Sequence, residues 1–185
     1  MKRIVPILLL LALLSGCSGG SDTMDRVVAL RSAILAKGAE FDAAVTADYG
    51  DKTYTFGMHC LLDVQGKLAF TVTAPESISG ITGTVSAASG NLTFDGNALA
   101  FSLMADGQVS PVSGPWILMK TLRGGYLTSC GLEGGCIRVA IDDSYEEDAL
   151  HLDIWLDEKD QPKHGEILWQ GRRILSLDIE NFVFL

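Results

Sequence analysis

The apolar positions of this chain change their rhythm four times. Ile4 to Leu14 is an apolar run of eleven residues interrupted only by Pro6, and it follows Lys2 and Arg3. That is the make-up of an export signal, and it is short of the roughly twenty residues that cross a bilayer as a helix. From Asp22 to Lys37 the rhythm becomes helical: Val27, Leu30 and Ile34 recur at helical spacing, with Val28 and Leu35 beside them. Asp22 or Thr23 can cap this helix, Asp25 suits the positive end of its dipole, and Gly38 can stop it. One face is apolar and needs a surface to cover.

From Phe41 the period drops to two. Phe41, Ala43, Val45, Ala47 and Tyr49 alternate with Asp42, Ala44, Thr46 and Asp48, up to a turn at Gly50-Asp51. Tyr54, Phe56, Met58, Cys60 and Leu62 repeat the pattern, and a turn near Gln65-Gly66 leads to Leu68, Phe70 and Val72, with Pro75 ending that strand. The arrangement predicts an antiparallel meander with one apolar face. Ile81 to Ala87, Asn91 to Phe94 and Ala98 to Leu103 read as further short strands, with turns at Ser89-Gly90, Asp95-Gly96 and Asp106-Gly107. Then Gly114-Pro115-Trp116 opens a helix of two or three turns that closes at Gly124-Gly125. Trp116, Ile117, Met119 and Leu122 make it apolar on more than one side, so it is expected to be buried or to lie over a cavity. Strands resume at Tyr126, and Ile137 to Ile141 is one of them. Leu150, Leu152, Ile154 and Leu156 alternate in another, Glu158 to Lys163 is a charged turn, and Ile167 to Gln170 pairs through Gly171 with a last strand from Arg172 to Leu185.

Composition narrows the function. Removing residues 1–16 leaves 169 of the 185 residues, enough for one domain with a core. Losing Lys2 and Arg3 takes the formal net charge from −9 to −11. That balance argues against nucleic acid and against a polybasic membrane-binding patch.

Candidate chemistry is sparse. His59, His151 and His164 follow no nucleophile motif. Beyond Gly20 the chain has no Gly-x-Ser-x-Gly, and it has no phosphate-cradling glycine loop and no His-Glu-x-x-His. Asp153 and Asp157 are a carboxylate pair of the kind any acidic chain contains. The acidic run Asp142 to Asp148 offers oxygen ligands that suit calcium, but it lacks the EF-hand spacing and its glycine, so a solvated loop is the favoured reading. No metal and no cofactor is expected, and no catalytic residue.

Ser15-Gly16-Cys17 at the end of the apolar run resembles a bacterial lipobox, in which small residues precede a cysteine whose thiol takes a diacylglycerol as a thioether. The alternative is an ordinary secretory signal with a chance cysteine. A lipid-modified Cys17, bearing acyl chains such as palmitate, would hold the mature chain at an extracytoplasmic membrane surface, because more than one acyl chain anchors stably. Ser18-Gly19-Gly20-Ser21 reads as a tether, giving a signal peptide (1–16), a lipidated N-terminus with tether (17–22) and one domain (23–185). By analogy with sorting in bacteria that have two membranes, Ser18 in place of an aspartate permits outer-membrane delivery; the cell membrane is the other destination. Export also permits disulfides. The short glycine-rich segment between Cys130 and Cys136 makes that pair the first choice, leaving Cys60 as a buried thiol. An intermolecular bond by one of the three is the alternative.

A helix followed by a long meander after a lipobox resembles the LolA/LolB-like lipoprotein carrier superfamily. The similarity is best over Phe41 to Gly96, where Gly66-Lys-Leu-Ala-Phe-Thr-Val-Thr-Ala-Pro75 ends a strand in proline and Leu92-Thr-Phe-Asp-Gly96 leads to an aspartate-glycine turn. Trp169-Gln-Gly-Arg-Arg-Ile174 into Asn181-Phe182 is also similar. The resemblance implies an α+β, mainly β fold: a strongly curved antiparallel sheet, an incomplete β-barrel, with helices packed on its concave side. It also implies that a lipid or a lipoprotein acyl chain is bound in the cavity, or that the same scaffold holds an envelope or spore-coat protein partner without catalysis. No cavity residue carries over from these motifs. From their own positions on apolar faces, Val27, Leu30, Ile34, Phe56, Met58, Phe70, Trp116 and Met119 are the expected cavity wall.

Overall fold

The computed structural model describes residues 19–87, 90–94, 97–101, 104–105 and 108–185. The signal segment, Cys17 and Ser18 lie outside the described residues, as do Ser89 and the expected turns at Asp95-Gly96 and Asp106-Gly107.

Helix α1 spans Gly19–Ala36. It starts ahead of the capping signal at Asp22 and Thr23, so part of the stretch expected as tether is helical. Its buried stripe is Thr23, Val27, Leu30 and Ile34, spaced four, three and four residues apart, while Val28 and Leu35 stay exposed. Arg26 pairs with Asp160, and Arg31 Nη2 donates to the Gly125 carbonyl at 2.9 Å, so both ends of the stripe are tied to distant parts of the chain.

The strands follow as β1 (Ala39–Asp48), β2 (Thr53–Leu62), β3 (Leu68–Ala74), β4 (Thr82–Val85), β5 (Gly90–Phe94) and β6 (Asn97–Phe101). A small ribbon of β7 (Met104–Ala105) and β8 (Gln108–Val109) leads into helix α2 (Gly114–Gly124). The chain closes with β9 (Tyr126–Glu133), β10 (Cys136–Asp142), β11 (Leu150–Leu156), β12 (Pro162–Trp169) and β13 (Arg172–Phe184). The last hairpin begins at Pro162, inside the segment expected to be a charged turn.

Eleven strands make one antiparallel sheet in the order β6-β5-β4-β3-β2-β1-β13-β12-β11-β10-β9. Every neighbouring pair is a sequential hairpin except one: β1 pairs with β13, from Ala39 opposite Phe184 to Ala47 opposite Leu175. The sheet does not close, and β6 and β9 are its two edges. That order dictates where α2 must go. The chain leaves one edge at β6 and re-enters at the other edge, so the connection crosses the sheet, and α2 is its buried part.

The period-two pattern sorts the two faces. In β1, Phe41, Ala43, Val45 and Ala47 are buried; in β2, Phe56, Met58, Cys60 and Leu62; in β3, Leu68, Phe70 and Val72. Removing a side chain of this size from water stabilises by about 1.5–3 kcal/mol. Helix α2 lies on this apolar face. Gly114 is beside Leu175, Leu177 and Val45, and Leu118 rests against Gly165 of β12, where a Cβ would overlap Leu118 Cδ1. The helix ends at Gly125, whose N–H bonds the Thr121 carbonyl at 2.7 Å. A Cβ there would meet Ile141, Thr121 and the Asp142 carbonyl, all within 2.8 Å, so glycine allows the close approach to β10.

The expected Cys130–Cys136 disulfide is corrected. Cys60, Cys130 and Cys136 are all free. The segment between the latter two is not a loop that closes on itself: β9 runs on to Glu133 and the hairpin turns only at Gly134-Gly135. Cys130 therefore faces Val139 and Cys136 faces Glu133. The two cysteines are three register positions apart, at least ~10 Å along the strands, beyond the ~7 Å between Cα atoms that a bridge tolerates.

Candidate functional site

All eight residues expected to wall a cavity are at most 8 % exposed and belong to one continuous apolar cluster. Val27, Leu30 and Ile34 come from α1, Phe56 and Met58 from β2, Phe70 from β3, and Trp116 and Met119 from α2. They pack against one another as a core, and Trp116 and Phe70 also reach the walls of open depressions. Phe70 borders a groove of about 330 Å³ whose other walls include His59, Thr71, Thr82, Thr84 and Asn91.

Trp116 opens onto a larger cleft of about 580 Å³. Four separate segments build it: Leu35 from the last turn of α1, Trp116, Lys120, Arg123 and Gly124 from α2, Gln65, Gly66 and Lys67 from the β2–β3 turn, and Ser86 and Ala87 after β4. Side-chain bonds hold α2 against the β2–β3 turn. Trp116 Nε1 donates to the Gly66 carbonyl at 2.8 Å. Arg123 donates to the carbonyls of Val64 at 2.8 Å and Asp63 at 3.3 Å. The cleft therefore sits at one end of the packed core, with an indole set in its wall and Leu35, 51 % exposed, at its lip.

The electrostatics of this cleft run against the rest of the molecule. Among the described residues, Lys67, Lys120 and Arg123 line it and no aspartate or glutamate does, in a chain with 14 basic and 23 acidic residues. Lys120 Nζ stands 5.8 Å from the centre of the Trp116 ring and 3.7 Å from Asp143. Sequence reasoning missed these three cations. The available signal was Lys120 and Arg123 three residues apart on α2, which puts them on one helix face.

The three histidines are each engaged with a carboxylate. His59 Nδ1 is 2.9 Å from Asp42, His151 Nδ1 is 2.7 Å from Asp142, and His164 Nδ1 is 2.6 Å from Asp178. Each imidazole is thus oriented by a carboxylate across a strand pair. The Asn181 amide, and then the His59 ring, hydrogen-bond the Asp42 carboxyl and hold it below its ordinary range. Burial pushes the Cys60 thiol far up, which makes it a poor nucleophile. In the acidic run, Asp142 serves His151, and Asp143 accepts the Leu150 N–H at 2.9 Å. Among the described residues, no group of three or more His, Cys, Asp or Glu is arranged to hold a metal ion.

No family model matches the chain, and no curated protein does. Solved structures with a similar arrangement include a DUF1329 family protein from Desulfovibrio piger, with a TM-score of 0.51 at 9% identity over 91% of this chain and 94% of that one. A LolA superfamily protein from Nitrosomonas europaea has a TM-score of 0.43 at 9% identity over 90% of this chain and 93% of that one. LprF from Mycobacterium bovis has a TM-score of 0.44 at 9% identity over 90% and 95%. At 9% identity the likeness to the DUF1329 family protein is one of fold alone.

Proposed function

We propose that this chain is an envelope lipoprotein, lipidated at Cys17 and held at an extracytoplasmic membrane surface, whose domain binds a hydrophobic ligand: a lipid or the acyl chain of a lipoprotein. On this reading residues 23–185 form a curved half-barrel with α1 and α2 on its concave side, and the domain acts by holding its ligand rather than by catalysis. One observation carries the reading. The cleft beside Trp116 has a volume of about 580 Å³, within the ~300–1,000 Å³ usual for small-ligand sites. Its apolar lip, Leu35, is left exposed on a helix whose other face is buried. An acyl chain laid along Leu35, Ala87 and the Trp116 ring would leave water at about 25 cal/mol per Å². Phe56, Met58 and Met119 fill the deeper interior, so on this reading the ligand lies at this mouth, with the core as its floor.

The test is lipid extraction from the purified full chain, followed by mass spectrometry. A lipid in addition to the N-terminal anchor, present in stoichiometric amount and depleted in Leu35→Asp, is the expected result. Leu35 is exposed, so this change should leave the fold intact. A chain that reproducibly carries only its anchor would refute ligand binding. Loss of membrane association in Cys17→Ser checks the anchor separately.

A further inference from the structure

The charge of the cleft specifies more than apolarity does. We infer that its occupant is an anionic lipid, with the acyl chain on Leu35 and Trp116 and a phosphate-bearing headgroup between Lys67 and Lys120. The inference rests on the lipid-binding reading above and names the ligand class of the same site.

Three observations support it. First, the three cations stand together at an apolar cleft whose described lining holds no carboxylate, although acidic residues outnumber basic ones in the chain. A neutral lipid would gain nothing from that segregation, whereas an anion is attracted and held at the rim. Second, the cations divide the work. Arg123 spends two N–H groups on the carbonyls of Asp63 and Val64 and thereby fixes the wall. Lys120 stands over the Trp116 ring and 3.7 Å from Asp143 without a hydrogen bond that fixes it, and Lys67 makes no ion pair among the described residues. Two flexible ammonium groups are thus left to face a headgroup. Third, the position separates this ligand from the chain's own anchor. Leu35 is sixteen residues beyond Gly19 on α1, roughly 24 Å at 1.5 Å rise per residue. The cleft is therefore at the other end of α1 from Gly19, and on this proposal its occupant is a molecule other than the chain's own anchor.

The full chain, reconstituted in nanodiscs of equal parts phosphatidylglycerol and phosphatidylcholine, is released and examined by native mass spectrometry. The expected result is one retained phosphatidylglycerol per chain, favoured over phosphatidylcholine by roughly five- to tenfold as two exposed ion pairs allow. Lys67→Gln with Lys120→Gln should abolish the preference, and Lys67→Arg with Lys120→Arg should restore it. Both positions are at the surface, so neither pair threatens folding. Equal retention of the two lipids overturns the headgroup assignment while leaving lipid binding intact. Retention of neither overturns both. A preference that survives in the glutamine pair overturns the role of these lysines. Displacement by inorganic phosphate alone, in millimolar excess, would show a simple anion site and overturn the lipid assignment.

Discussion

Helix α2 packs closely on the sheet at Gly165, and a double-mutant cycle with Leu118 tests it. Gly165 sits in β12 with its Cα toward the apolar face, and a Cβ there would overlap Leu118 Cδ1 and lie 3.4 Å from its Cγ. Leu118 is fully buried, so its side chain has no solvent side to turn into. Gly165→Ala should therefore cost about 1–3 kcal/mol in overpacking, offset by about 0.5–1 kcal/mol because alanine is better than glycine inside a strand. The net loss is about 1–2 kcal/mol. Leu118→Ala alone should cost about 2–5 kcal/mol, from lost burial and the cavity left behind. In that background the clash is gone, and Gly165→Ala places a methyl group in the vacated space. Its effect should then change sign, to a gain of about 0.5–1 kcal/mol. The coupling between the two sites is thus roughly 2 kcal/mol, well above the ~0.5 kcal/mol within which independent sites add. Urea unfolding of the four proteins, followed by tryptophan fluorescence and far-ultraviolet circular dichroism, measures it. If Gly165→Ala has the same effect with Leu118 and with Ala at position 118, α2 does not rest on β12 in this way. The placement of Trp116, Lys120 and Arg123 around the cleft would then lose its support.

Other consequences are simpler to test. Asp42 has a folded-state pKa below its ordinary value near 3.8, first through the Asn181 amide and then through His59. Its contribution to stability is present above that ordinary value and is lost as pH falls through the lower folded one. Asp42→Asn should therefore cost under ~1 kcal/mol at neutral pH, since the site is partly exposed, and the gap to the parent chain should close below about pH 4; a gap that is constant across acid titration would contradict this. Arg123→Ala removes two bonds to the β2–β3 turn and should cost about 1 kcal/mol, with faster hydrogen exchange at Gly66 and Lys67 than at β1 amides. Without prior reduction, alkylation of the native chain should label the partly exposed Cys130 and Cys136 and spare the buried Cys60 until denaturant is added. Recovery of a linked Cys130–Cys136 peptide would refute the β9–β10 register.

The rhythm of single segments was legible because the information is local. A strand with one buried face must alternate, so Phe41, Ala43, Val45 and Ala47 announce β1, and Leu68, Phe70 and Val72 announce β3, whatever they pair with. The spacing of Val27, Leu30 and Ile34 likewise marks the covered face of α1, and Pro115 with Gly124-Gly125 brackets α2. The hydrophobic cluster was legible too, but not its state. A side chain that fills a core and one that lines a hole have the same apolar character, and Met58 or Met119 cannot tell them apart in one dimension.

The sequence by itself determined two helices, a mainly β chain and the faces its strands bury. Only the tertiary structure decided that β1 pairs with β13, that Cys130 faces Val139, and that Leu35, Lys67, Trp116 and Lys120 share one cleft. The reason is the same in each case. Periodicity records how a residue stands to its own element, whereas register and sheet order bring together residues far apart in the chain. A cleft at the seam of four such segments has no pattern of its own until the chain has folded.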